Sequence, residues 1–209
     1  MAAVDCFAAS RPQEGRSTNE DAFLLAPQAD PPWVAVCDGA GHAQQAARRV
    51  LRLFERFAAE ADPQAMAVFP TWARWTRTLD SALLGGTQST FLAVAVLDGR
   101  VVGVCAGDSR AYLWTRDGDL RILTEGASKF RLGSGKAEPF PIHAPLARGD
   151  VVLLMTDGAW TPLSLHGLQR LVAGAALGGF ADLPNRILEA AGRSGRADDM
   201  TVVACRLRG

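Results

Sequence analysis

Asp38 closes the apolar run "WVAVC" and is followed by "GAGHAQQAARRVL", a glycine-broken turn into a helix. Asp157 closes "VVLLMT" and is followed by "GAWTPLSLHGLQRLV", again strand to loop to helix. An acid at the end of a buried strand, beside a glycine that lets another group approach its backbone, is costly unless a cation pairs with it. Two more acid pairs share the placement: Glu20 and Asp21 in "NEDAFLL" open one strand, and Asp198 and Asp199 in "RADDMTVVACRL" open the last. Hard divalent ions such as magnesium or manganese take oxygen ligands from carboxylates, carbonyls and water, and a pair of ions needs one shared carboxylate plus several others. Acids far apart in sequence but alike at strand ends can converge to supply that set. Each alone is a weak signal, because a strand-end aspartate is more often a cap or turn residue.

The elements that must position these acids are legible from the pattern. Short apolar runs at residues 2–9, 22–26, 33–37, 90–97, 101–106, 110–115, 120–124, 151–156 and 200–207, with β-branched content and Gly, Asp or Pro between them, predict strands. "LDGRVV" and "TRDGDL" are hairpin signals in which Asp98-Gly99 and Asp117-Gly118 supply the turn. Ala43, Ala47, Val50, Leu51, Phe54, Phe57, Ala58 and Ala61 recur at helical spacing, with Arg48, Arg49, Arg52 and Glu55 on the other face. Asp62-Pro63 opens a second helix to about Leu84. Pro70 and the aromatics Phe69, Trp72 and Trp75 predict that this helix is kinked or broken and packed in the core. Two shorter helices, at about 164–176 and 182–191, precede the last strand. This order gives an α+β fold of antiparallel sheets faced by helices, expected to form one domain over residues 1–209.

Composition narrows the function. The chain is 48% hydrophobic and 21% charged, and its 22 basic residues balance its 22 acidic ones, so neither nucleic acid nor an anionic membrane is an expected partner. Cys6, Cys37, Cys105 and Cys205 are widely spaced and form no C-x-x-C, which reads as reduced core residues. No apolar run approaches the ~18 residues of a membrane span, and no secretory signal is evident, so a cytoplasmic location is expected.

The acid sites belong to a larger set: "RSTNED" (16–21), "VAVCDGAGH" (34–42), "TQSTFLAVAV" (87–96), "AGDSRAYLW" (106–114), "VVLLMTDGAW" (151–160) and "DDMTVV" (198–203). In order and strand position this set resembles the PP2C (PPM) family of metal-dependent protein serine/threonine phosphatases, over nearly the whole chain. The resemblance implies a four-layer α-β-β-α sandwich of two central antiparallel sheets flanked by helices. It implies that Asp38 bridges two Mn2+ or Mg2+ ions, that the Gly39 carbonyl binds one, and that Asp157 and Asp198 bind the other. Glu20 and Asp21 match acids that hold water or support the ligands, and Arg16 matches the arginine that grips substrate phosphate, a role suited to a planar fork facing a dianion. The implied reaction is in-line attack of a metal-activated water on the phosphorus of a phosphoserine or phosphothreonine in a protein substrate, opposing a serine/threonine kinase.

Three departures from that family pattern stand out. Where eukaryotic members often carry a histidine after the bridging "DG", this chain has Ala40; His42, two residues on, is the candidate general acid, with a polar helix-start residue as the alternative. A third ion in some members uses an aspartate matching Asp108 and an acid at the position of Thr161, so Asp108 is expected to be structural and a third ion weak or absent. "LTEGASKFRLGSGKAEPF" leaves little room for the flap that usually varies with substrate. Ala40, Thr161 and the short flap keep open an alternative, a pseudophosphatase acting as a binding or regulatory module. Other chemistries fit less well. "GSGK" at 133–136 lacks the spacing glycine and following Ser or Thr of a P-loop. No cysteine heads a C-x5-R loop, and His143 and His166 stand alone as expected surface or packing residues.

Overall fold

The computed structural model describes residues 3–40, 44–193 and 198–208. In chain order the elements are β1 (Val4–Arg11), β2 (Ala22–Ala26), β3 (Trp33–Cys37), β4 (Gly39–Ala40), α1 (Gln44–Glu60), α2 (Phe69–Leu83), β5 (Gln88–Ser89), β6 (Phe91–Leu97), β7 (Arg100–Ala106), β8 (Arg110–Trp114), β9 (Leu120–Ile122), β10 (Phe140–Pro145), β11 (Val151–Met155), α3 (Asp157–Trp160), α4 (Leu165–Ala176), α5 (Leu183–Gly192) and β12 (Met200–Leu207). They build two five-stranded sheets, ordered β1-β12-β11-β8-β9 and β10-β7-β6-β3-β2, and a small β4-β5 ribbon. All pairings are antiparallel.

Side-chain alternation explains why the central strands read as unbroken apolar runs. In β3, Trp33, Ala35 and Cys37 pack toward α1 and α2, whereas Val34 and Val36 face the other sheet. In β6, Phe91, Ala93 and Ala95 take the helix side, and Leu92, Val94 and Val96 the sheet side. The second sheet repeats this logic, with Leu113, Val152, Leu154 and Val203 between the sheets and Tyr112, Leu153, Val202 and Ala204 against α4 and α5. The result is the four-layer α-β-β-α sandwich.

The second helical tract is broken as its prolines require. Asp62 caps a 3-10 turn, Pro63–Ala67, by accepting from the Gln64 amide at 2.8 Å, and α2 begins afresh with Pro70 in its first turn. Trp72 and Trp75 are buried against Phe54, but Phe69, in the first turn, is half-exposed rather than core. Strand β10 was not apparent in the sequence because Pro141 and Pro145 interrupt it. At the sheet edge it can carry prolines, since only one of its sides must donate to a neighbour. All four cysteines are free thiols, three of them buried. Among the described residues no helix is long and apolar enough to cross a membrane.

Strand register brings the acids together. Ala22 pairs with Cys37, Phe91 with Ala106, Arg110 with Met155, and Arg11 with Met200. The residues just outside these pairs, Asp21, Asp38, Asp108, Asp157 and Asp198, therefore gather at one end of the sandwich.

Candidate metal and catalytic site

Asp38 leaves β3 under tight backbone control. Its amide donates to Thr90 Oγ1 at 2.8 Å, its carbonyl accepts from the Thr90 amide at 2.9 Å, and Thr90 Oγ1 shares a 2.8 Å hydrogen bond with Ser109 Oγ. Gly39 donates to the Glu20 carbonyl at 3.2 Å and pairs with Ser89 in the β4-β5 ribbon. Thr90 also abuts Gly107, where a Cβ would lie 2.8 Å from Thr90 Cγ2 and where φ is +102°. Both conditions call for glycine, and the turn they permit delivers Asp108 next to Asp38.

On the other sheet, the glycine after Asp157 has a different use from a hairpin glycine. A Cβ on Gly158 would stand 2.1 Å from the Asp199 carbonyl and 3.1 Å from Asp198 Cβ. The bare backbone thus lets the segment before β12 lie against the start of α3, bringing Asp198 beside Asp157. Asp199, buried, accepts from the Gln13 and Glu20 amides, each at 2.6 Å, and so pins both ends of the segment carrying Arg16. Asp21 accepts from Thr156 Oγ1 at 2.8 Å, and that hydroxyl accepts from the Thr201 amide at 2.9 Å, tying the two sheets together.

One carboxylate oxygen from each of Asp38, Asp108 and Asp157 falls within 4.8 Å of the others. Burial, and then repulsion from Asp157 and Asp108, push the Asp38 carboxyl up to about 7 despite the opposing pull of Arg131. Asp157 is raised by burial and by Asp108 and Asp198, and Asp21 well above the ordinary range by burial and by Asp38. Arg131 reaches into this cluster, its Nη2 lying 3.0 Å from Asp38 Oδ2 and 3.3 Å from Asp108 Oδ1. Burial works against its charge, but Asp38, Asp108 and Asp157 outweigh that and hold the guanidinium more firmly protonated. One guanidinium against three carboxylates leaves the cluster anionic. Asp21 Oδ1 is buried without a hydrogen-bond partner among the described residues. Crowded carboxylates with raised proton affinity, plus an orphaned carboxylate oxygen, fit a site for hard divalent cations.

Beside the cluster lies a cleft of about 450 Å³ walled by Asp108, Asp157, Trp160, Thr161, Glu125 and Lys129. Trp160 donates to the Asp108 carbonyl at 3.0 Å, and its ring lies 3.5 Å under the Arg110 guanidinium.

The structure brings Asp38 and Asp157 together and sets Asp198 next to Asp157. Asp21 is packed close enough to feel Asp38, and Gly39 and Glu20 adjoin through their backbones. Arg16 sits exposed in the turn between β1 and β2 and forms no ion pair among the described residues. His42 lies outside the described residues. The Asp108 carboxylate faces the acid cluster and Arg131. Arg131 and Thr90 were not singled out from the sequence. Thr90 lies within "TQSTFLAVAV", but Arg131 sits in an irregular loop with no periodic or strand-end signal.

Two antiparallel sheets between helical layers, with acids gathered at one end, define a fold shared with bacterial serine/threonine phosphatases. The structure of the Mycobacterium tuberculosis serine/threonine phosphatase PstP/Ppp is 24% identical, with 99% of each chain covered and a TM-score of 0.81. Stp1 from Staphylococcus aureus is 19% identical, covering 100% of this chain and 96% of its own, with a TM-score of 0.85. The catalytic domain of PstP in complex with two manganese ions is 22% identical, with 100% of each chain covered and a TM-score of 0.84. The family model described as Stage II sporulation protein E (SpoIIE) matches residues 29–208, and the chain belongs to that family. The PP2C resemblance read from the motifs is thereby borne out. No curated protein matches the chain.

Proposed function

We propose that the chain acts as one domain over residues 1–209 and hydrolyses phosphoserine and phosphothreonine in protein substrates, opposing a serine/threonine kinase. Asp38, the Gly39 carbonyl, Asp157 and Asp198 would hold two Mn2+ or Mg2+ ions, the number and kind present in the PstP complex being two manganese. The observation that carries this reading is the convergence of Asp38, Asp108 and Asp157 within 4.8 Å at the end where the sheets' strand termini meet.

Bound there, divalent cations supply Lewis-acid activation of water and neutralise phosphate oxygens. The chain's own residues do the rest. Thr90 and Ser109 fix the Asp38 backbone, so the carboxylate is aimed before any ligand arrives. Asp199 pins the segment that presents Arg16, whose planar fork suits a phosphate dianion. The cleft along Trp160 and Lys129 leaves space for the polypeptide around the phosphorylated residue. A pseudophosphatase that kept the metals would still have no need of Arg16, Asp38, Gly39, Asp157 and Asp198 all together.

The test is hydrolysis of p-nitrophenyl phosphate and of a phosphothreonine peptide with manganese or magnesium, with chelator, and with Asp38→Ala. Turnover of both substrates that vanishes with chelator and in the variant is expected. Chelator-resistant turnover would refute the metal-dependent reading, and metal binding without turnover of any phosphorylated substrate would establish the regulatory module.

A further inference from the structure

Arg131 is held in the acid cluster by its main chain and not only by its own charge. Leu132 exchanges two backbone hydrogen bonds with Ser89, at 3.2 and 2.8 Å, and Ser89 in turn pairs with Gly39. One residue further on, the Gly133 and Gly135 amides donate to Asp80 Oδ1 of α2, at 2.7 and 3.3 Å. The Ser134 hydroxyl closes the turn onto the Arg131 carbonyl at 2.6 Å. The "GSGK" amides thus capture a carboxylate of the protein itself, and the captured loop aims the preceding arginine at Asp38 and Asp108. A side chain that swung in by chance would need no such scaffold.

Of the proposed ligands the guanidinium touches Asp38, through Oδ2, and it also pairs with neighbouring Asp108. Nη2 lies within ion-pair distance of both Asp38 and Asp108. A guanidinium and a dication repel, so each weakens the other's hold on Asp38. We propose that Arg131 competes with metal for the site: its charge holds the converging carboxylates together, and incoming metal must overcome its hold on Asp38, so that it sets the metal concentration at which the site loads. This rests on the metal-dependent reading of the site.

Calorimetric titration of Mn2+ into the wild type, Arg131→Met, Arg131→Lys and Asp80→Asn tests this. Removing the competing charge should tighten Mn2+ binding roughly tenfold in Arg131→Met, while Arg131→Lys stays near the wild type. Asp80→Asn keeps the arginine but releases its loop, and should also tighten binding. It serves as the second test should Arg131→Met fail to fold. In chelator, Arg131→Met should melt below the wild type, and saturating Mn2+ should close the gap. Wild-type affinity, or weaker binding, in both Arg131→Met and Asp80→Asn would overturn the proposal while leaving the metal site in place. A wild type that binds no Mn2+ would overturn the metal reading and this inference with it.

Discussion

Without metal, Asp38 should make the folded protein less stable as the pH rises. Its carboxyl is raised in the fold from 3.8 to about 7, chiefly by burial. A group whose folded affinity for protons exceeds its unfolded affinity stabilises the fold when protonated, and that stability is lost as pH climbs through the folded value. A shift of roughly three units at 1.36 kcal/mol each is on the order of 4 kcal/mol, of which about 2 to 3 kcal/mol falls between pH 5 and pH 8. Asp157 and Asp21 are raised too and act in the same direction. Against a typical net stability of about 5–15 kcal/mol this is a large fraction. The measurement is urea denaturation in chelator at pH 5, 6, 7 and 8, for the wild type and for Asp38→Asn, which mimics the protonated acid. Stability of the wild type should fall across the series, and Asp38→Asn should have the flatter profile and be the more stable protein at pH 8. Stability that rises from pH 5 to pH 8 in chelator, or an Asp38→Asn protein weaker than the wild type at pH 8, would refute the reasoning.

Gly158→Ala should cost at least about 2 kcal/mol and weaken Mn2+ binding, because its Cβ meets the Asp199 carbonyl at 2.1 Å and must drive Asp198 away from Asp157; thermal melts and metal titration check both effects. Thr90→Val keeps the shape but leaves the Asp38 amide and the Ser109 hydroxyl each short of a partner, so a loss of about 2–3 kcal/mol is expected in urea denaturation. Arg16→Ala should raise KM for a phosphothreonine peptide about tenfold while Mn2+ affinity stays at the wild-type value, as steady-state kinetics and calorimetry will show.

The strands and the acids at their ends were legible because burial on both faces leaves uninterrupted apolar runs that stop where the chain turns. The two kinds of Asp-Gly were separable for the same reason. Asp98-Gly99 sits between strands that return on each other, with Asp98 at φ 48°, while Asp157-Gly158 runs into α3 with no return strand. What the sequence concealed depends on contacts between distant segments. Strand β10 hides behind its prolines, which only an edge position tolerates. Gly158 looks like a turn residue until the Asp199 carbonyl is set against it. The position of Asp108 relative to Asp38 follows from Thr90 packing against Gly107, a contact across two strands. Arg131 is the extreme case, since its aim comes from an α2 carboxylate, Asp80, grasping a loop more than fifty residues away.

The central claim is that converging carboxylates bind divalent metal and that this metal makes the protein a phosphatase. The most direct measurement counts bound Mn2+ and phosphothreonine-peptide hydrolysis in the same samples as Mn2+ is titrated into chelated protein, for the wild type and for Asp38→Ala. Hydrolysis should appear only as the bound metal approaches two ions per chain, the number held by the PstP catalytic domain, and both signals should collapse in Asp38→Ala. Hydrolysis at full rate before metal binds, or undiminished in Asp38→Ala, would contradict it.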